Sequence, residues 1–279
     1  MPDYAFHQVD VFGGRSLGGN PLAVVAGADG LPDGTMAAFA NWTNLSETTF
    51  LLKPTRPEAD YRVRIFTPAR ELPFAGHPTL GSCHAWLAAG GMPRGEDIVQ
   101  ECDVGLVRIR REGERLAFAA PPLLRSGPVD EELVARILRG LGLGAEAAVD
   151  ASWVDNGPGW VAVLLRSRAE ALAATPDYAV LGDVPLGVVA PWDRDRDGTD
   201  ADFEVRGFVC REGYEDPVTG SLNASIAQWL VGSGRARARY IACQGTKLGR
   251  QGRIHVSSDG GQIWVGGRVA TVIEGRVSL

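Results

Sequence analysis

Hydrophobic positions in this chain come mostly in short runs, five to ten residues long, broken by glycine, proline and polar residues. Tyr4 to Phe12, Thr48 to Lys53, Tyr61 to Thr67, Leu106 to Arg111, Arg115 to Ala119, Phe203 to Cys210, Arg253 to Ser257, Gln262 to Gly266 and Thr271 to Glu274 are rich in β-branched and aromatic residues, and each predicts a strand. Gly19-Asn20-Pro21 and Gly157-Pro158-Gly159 are turns that lead into two further β-branched runs. Helical periodicity is rarer. It predicts surface helices over Thr35 to Thr43, behind a possible Asp33 cap, and over Glu131 to Leu141.

Two stretches fit neither pattern, because Leu72 to Pro93 and Pro217 to Gly234 carry no formal charge at all. Pro73, His77, Pro78 and His84 in the first, and Ser221, Asn223, Ser225 and Gln228 in the second, are too polar for a lipid-embedded span. A helix apolar nearly all round is instead buried on every side. The segments Pro78 to Ala89 and Ser221 to Val231 are predicted to be such helices, with Gly90 and Gly232 as stop signals. Each is preceded by Pro-x-x-Gly-polar, in Pro73-Phe-Ala-Gly76-His77 and again 144 positions later in Pro217-Val-Thr-Gly220-Ser221.

This repetition predicts an α+β fold of two pseudo-symmetric domains, each a curved, mostly antiparallel sheet around a buried central helix. The boundary falls at Pro121-Pro122, giving domains 1–122 and 123–267, with a segment from about 268 to 279 free to return to the first. Each Pro-x-x-Gly turn delivers the chain to a helix start, where backbone N–H groups lack intrahelical partners and the helix dipole favours an anion. Packed face to face, the domains would bring both starts to one cleft, with Gly76 opposite Gly220.

Composition narrows the class of ligand. A formal charge of −6 with no Lys/Arg block argues against nucleic acid and acidic membrane surfaces as partners. Asp3 and Asp10 stand where a signal peptide would need a basic flank and an apolar run, so a cytoplasmic protein is expected. The scattered Cys83, Cys102, Cys210 and Cys243 form no CxxC pair and read as reduced, partly buried thiols. Asp193, Asp195, Asp197, Gly198 and Glu204 match a calcium-loop spacing, but the flanking residues do not read as helices and two arginines interrupt the loop, so a solvated turn is expected. Gly13-Gly14 and Gly18-Gly19 give neither nucleotide-loop pattern.

Five ordered stretches, VDVFGGRSLGGNPLAVV, NLSETTFLL, RIFTPARELPFAGHPTLGS, EDPVTGSLNAS and CQGTKLGRQGRI, resemble the PhzF-like isomerase family of phenazine biosynthesis, over Val9 to about Glu274. The resemblance implies a diaminopimelate-epimerase-like fold with the active site between the domains, a homodimer, and isomerisation of a small carboxylate akin to trans-2,3-dihydro-3-hydroxyanthranilate without metal or organic cofactor. By the same resemblance Glu47 shuttles the proton, and Gly76 and His77 together with Asp216, Gly220 and Ser221 bind and orient the substrate; by their own chemistry His77 and Asp216 can polarise its amino or hydroxyl substituents.

The residues are chemically suited to those roles. Glu47 lies at a loop-to-strand junction, since the TTF that follows Asn44-x-x-Glu47 argues against a capping box. In an apolar cleft such a carboxyl would be expected to titrate nearer neutrality, where it can both accept and return a proton. A two-base racemase of this fold would need a thiol just before each turn glycine, and those places hold Ala75 and Thr219. The alternatives left open are a racemase or epimerase of the same fold and a non-catalytic protein that binds small carboxylates.

Overall fold

The computed structural model describes residues 2–279. Contacts divide them into two units, one formed by residues up to Ala119 together with Gly266–Leu279, the other by Ala120–Val265.

The first unit begins with β1 (Asp3–Val11), β2 (Asn20–Ala26), α1 (Asp33–Thr43), β3 (Glu47–Leu52), β4 (Tyr61–Phe66) and β5 (Glu71–Leu72). The helix α2 (Gly76–Ala88), then β6 (Ile98–Cys102), β7 (Gly105–Glu112) and β8 (Arg115–Ala119), complete its N-terminal portion. The second unit contains β9 (Arg125–Pro128), α3 (Glu131–Gly140), β10 (Ala148–Asp155), β11 (Val161–Leu165), α4 (Arg168–Ala173) and α5 (Tyr178–Leu181). It continues through β12 (Leu186–Pro191), α6 (Arg194–Asp197), β13 (Phe203–Val209), β14 (Tyr214–Asp216), α7 (Gly220–Gly232), β15 (Arg239–Gln244) and β16 (Gly252–Asp259). The final strand, β17 (Gln262–Ser278), runs on into the first unit, where it pairs antiparallel with β1.

Strand pairing repeats in order. In the first unit β17–β1 and β1–β2 are antiparallel, β2–β3 parallel, β3–β4 and β4–β5 antiparallel, β4–β6 parallel and β6–β7 antiparallel. In the second, β9–β10 and β10–β11 are antiparallel, β11–β12 parallel, β12–β13 and β13–β14 antiparallel, β13–β15 parallel and β15–β16 antiparallel. Each unit is therefore a mixed sheet with the same connectivity. Its parallel crossovers hold α1 and α2 in one unit, and α4–α5 and α7 in the other, as parallel neighbours require.

The uncharged helices are the buried ones. Both α2 and α7 span 13 residues, and most of their length is inaccessible to solvent. Gly81 of α2 shows how closely helix and sheet approach, since a methyl at its Cα would lie 2.5 Å from Leu22 Cδ2 and 3.0 Å from Val9 Cγ2. On the opposite face of that sheet, α1 packs Met36, Phe39 and Ala40 against Val25, Phe50 and Phe66. In the second unit Ile137, Leu138 and Leu141 join Val161, Val163, Leu186 and Val188 in a separate aliphatic core.

Several local expectations change. Pro32, not Asp33, occupies the cap position of α1, and Asp33 instead pairs with Arg64 at 2.5 Å. Helix α7 runs through Gly232 and ends at Ser233, with Gly234 in the left-handed conformation (φ 72°). Gln262 to Gly266 and Thr271 to Glu274 are parts of one continuous strand. The acidic loop makes one short helix in which Asp193 accepts from the Asp195 N–H, while Glu204 lies buried and bonded to Arg168, Trp192 and Thr246. All four cysteines are free and buried.

Candidate active site

Alternation along β3 decides where Glu47 points. Thr48 turns to α1, where its hydroxyl lies 2.9 Å from that of Thr43, whereas Thr49 meets Ser82 of α2 at 2.9 Å. Glu47 shares the parity of Thr49 and so faces α2. The chain reaches it through Asn44, which ends α1 in the left-handed region (φ 54°), a conformation asparagine tolerates. At the head of α2, Ala75 is extended (φ −151°, ψ 139°) and no side chain caps the first turn, in which Gly76, His77 and Pro78 follow one another. Proline suits that turn because its missing N–H would have no intrahelical partner there.

These placements bring His77 Nε2 within 3.2 Å of Glu47 Oε2, with side-chain exposures of only 4% and 14%. The approach lies off the line of a well-formed hydrogen bond, so it is a close polar contact rather than an ideal donor–acceptor pair. Burial lowers the His77 pKa to about 3. The nearby carboxylate pulls the other way, but desolvation of a fully enclosed ring outweighs it and the imidazole is neutral. On its other side, His77 Nδ1 lies 3.4 Å from the amide nitrogen of Asn20, the first residue of β2. Asn20 is set by a tight loop in which the Asp10 carboxylate accepts from Gly19 N–H at 2.9 and 3.2 Å. Only glycine fits there, since a Cβ on Gly19 would fall 2.0 Å from the Val11 carbonyl oxygen. The same loop holds Phe12 and Leu17 at positive φ (66° and 59°), a conformation costing roughly 1–3 kcal/mol per residue.

The second unit builds a corresponding cluster at the head of α7. Thr219 precedes the helix, and its hydroxyl, instead of capping, donates to Asp216 Oδ2 at 2.5 Å. Gln244, fully buried on β15, holds this turn. Its Oε1 accepts from Thr219 N–H at 3.0 Å and from Asn223 Nδ2 at 2.8 Å, and its Nε2 donates to the Asp216 carbonyl at 3.1 Å and Thr219 Oγ1 at 2.9 Å. Ser221 Oγ accepts from the indole N–H of Trp160 at 3.3 Å, which leaves its own hydroxyl hydrogen to donate elsewhere. Asn156 donates to the Ser221 carbonyl at 3.0 Å.

The structure thus groups Glu47, Gly76 and His77 in one unit, and Asp216, Gly220 and Ser221 in the other. Residues not singled out from the sequence are Asn20 and Asn156, Trp160, Thr219 as a partner of Asp216, and Gln244. Asn20 and Asn156 had a usable signal, for each stands just ahead of the proline-containing entry to a strand. Gln244 had none, because its role depends on a pairing of β15 with its neighbours.

The position expected to hold a thiol in a two-base racemase is therefore a hydroxyl already engaged by Asp216, and the matching position is the methyl of Ala75. Among the described residues no group of three or more His, Cys, Asp or Glu side chains is placed to hold a metal ion, and no helix is long and apolar enough to cross a membrane.

Comparison with known proteins fits this arrangement. A family model described as phenazine biosynthesis-like protein, PhzC-PhzF, matches residues 9–275. The chain is 33% identical over 287 residues to the trans-2,3-dihydro-3-hydroxyanthranilate isomerase of Pseudomonas aeruginosa, covering 97% of this chain and 98% of that protein. It is 35% identical over 298 residues to antisense-enhancing sequence 1 of Schizosaccharomyces pombe, with 99% of each covered. Among solved structures, a PhzF-family protein of Enterococcus faecalis superposes over the whole of both chains with a TM-score of 0.81 at 25% identity. With its repeated sheet, paired helix starts and full-length similarity, the chain belongs to the phenazine biosynthesis-like PhzC-PhzF family.

Proposed function

We propose that this protein is an isomerase that moves a proton between carbons of a small cyclic or conjugated carboxylate, similar to trans-2,3-dihydro-3-hydroxyanthranilate, and that Glu47 carries the proton. The observation that bears most weight is the enclosed Glu47–His77 pair at the uncapped head of a buried helix. Relatives named as isomerases match nearly the full chain, which supports the reaction class.

In this reading the two clusters act on one substrate. Glu47 takes a proton from one carbon as the electron pair shifts through the conjugated system, and returns it to another carbon, so the net change is isomerisation with no redox partner. His77 and Asp216 polarise the amino or hydroxyl substituents. The first-turn N–H groups of α7, beginning at Gly220, and the hydroxyl of Ser221 supply donors for the substrate carboxylate, a use of helix N-termini that needs no bound metal. Gly76 serves the same purpose at α2. Acid–base chemistry at one carboxyl requires no organic cofactor, and independence of metal and cofactor is part of the proposal. So is a homodimer, on family resemblance. Four free, buried cysteines favour a reducing compartment, which supports a cytoplasmic location.

The test is Glu47→Gln, which keeps size and hydrogen bonding but removes the basic oxygen. Substrate affinity should stay near wild type while turnover falls by roughly 10²- to 10⁴-fold. In deuterated water the wild type should give product with incomplete solvent label when transfer outpaces exchange at Glu47. Near-normal turnover by Glu47→Gln on dihydrohydroxyanthranilate or another accepted substrate would place the proton carrier elsewhere, with Asp216 or His77 next in line.

A further inference from the structure

A neutral imidazole carries its proton on one nitrogen only, and the partner of the other nitrogen selects which. His77 is such a ring, enclosed between two side chains of its own unit. Asn20 Nδ2 lies 3.4 Å from Nδ1, and Glu47 Oε2 lies 3.2 Å from Nε2. We propose that Asn20 is a positioning residue for His77, directing an amide N–H at Nδ1 so that the ring is held as the Nε2–H tautomer with its donor toward Glu47.

The alternative tautomer is disfavoured by simple chemistry. With the proton on Nδ1, an amide N–H would face a ring N–H, and the Nε2 lone pair would face carboxylate oxygen at 3.2 Å. Both contacts would be repulsive, in a space where Asn20 and His77 are closed off from water. With the proton on Nε2, both contacts are attractive and the ring matches an ionised Glu47, the form that accepts a proton.

The second unit uses an asparagine amide in a related way. There Asn156, in the turn between β10 and β11, reaches the second residue of the buried helix, donating to the Ser221 carbonyl at 3.0 Å. An asparagine amide thus contacts the second residue of the buried helix in both halves, once at its side chain and once at its backbone. The tight Asp10–Gly19 loop fixes where Asn20 enters. Any effect of Asn20 on turnover rests on Glu47 being the proton carrier, but the tautomer itself does not.

Long-range proton–nitrogen correlation spectra of the full-length ¹⁵N-labelled protein at pH 7 read the tautomer directly. The His77 signals are those lost in His77→Asn, among only four histidines. The expected pattern is a protonated Nε2 and an unprotonated Nδ1. In Asn20→Asp, where only acceptor oxygens face the ring, the proton should move to Nδ1 or both nitrogens should become protonated. In Asn20→Ala the single-tautomer pattern should be lost. An Nδ1–H pattern in the wild type, which needs no variant to fold, would overturn the proposal. So would an unchanged Nε2–H pattern in a folded Asn20→Asp. Normal turnover by Glu47→Gln would sink the shuttle and leave the tautomer result standing, so the two failures are separable.

Discussion

Acid should destabilise this protein in part through His77, and replacing that residue should remove the effect. Burial lowers the folded-state pKa of the ring to about 3 from an ordinary 6.5. Below pH 6.5 the unfolded chain therefore takes up a proton that the folded chain refuses. The contribution of the neutral ring is complete above pH 6.5 and is lost as pH falls from there toward 3. Integrating the proton uptake between pH 7 and pH 5 gives a loss of about 2 kcal/mol from this one site. Screening by solvent is slight, since the side chain is only 4% exposed. Equilibrium urea unfolding of the wild type and of His77→Asn at pH 7, 6 and 5 measures the difference directly. Carboxylates elsewhere titrate alike in both proteins and cancel. The two stability curves should converge or cross by about 2 kcal/mol over this interval. Parallel curves would refute the reasoning and would mean that Glu47 keeps the ring charged inside the fold.

Three further outcomes are expected. Gln244→Leu strips the partner from the Thr219 N–H, while the Asn223 amide keeps the Thr219 carbonyl, and at about 1–3 kcal/mol for a buried group left unmet it should cost at least about 1 kcal/mol, read by urea midpoint. Gly81→Ala gains helix propensity worth up to about 1 kcal/mol but drives a methyl into Leu22 and Val9, so a net loss of about 1 kcal/mol is predicted from thermal or urea unfolding. Light scattering at micromolar concentration should give twice the 29.7 kDa chain mass, and a monomer would count against the proposed homodimer.

Much of the local structure was determined by the chain itself. The absence of charge over Leu72 to Pro93 and Pro217 to Gly234 dictated buried helices, because a surface helix would have needed a polar face. The β-branched residues after Glu47 placed it at the start of a strand, and Asn44 ended the preceding helix in the one left-handed conformation it adopts readily. Short strands escaped notice where their pattern was weak. Arg125–Pro128 and Tyr214–Asp216 are strands only because β10 and β13 lie beside them. Likewise, nothing in the 17-residue run Gln262–Ser278 announced that it would continue through Gly266 and Gly267, since glycine reads as a break until pairing overrides it.

What tertiary structure alone decided is the partner of each polar side chain. Sequence spacing marks Glu47 and His77 as reactive types but cannot bring residues 30 positions apart to 3.2 Å. That distance follows from the parallel register of β2 and β3, which sets Glu47 opposite Leu22, and from the seating of α2 on the same face of the sheet. Thr219, which the sequence marks only as a place without a thiol, becomes a donor to Asp216, and Gln244, arriving from a strand paired in parallel with β13, accepts from the Thr219 N–H. Propensity acts over a few residues and is written along the chain. Hydrogen-bond partnership in a buried site depends on register between distant strands, and only the folded sheet fixes it.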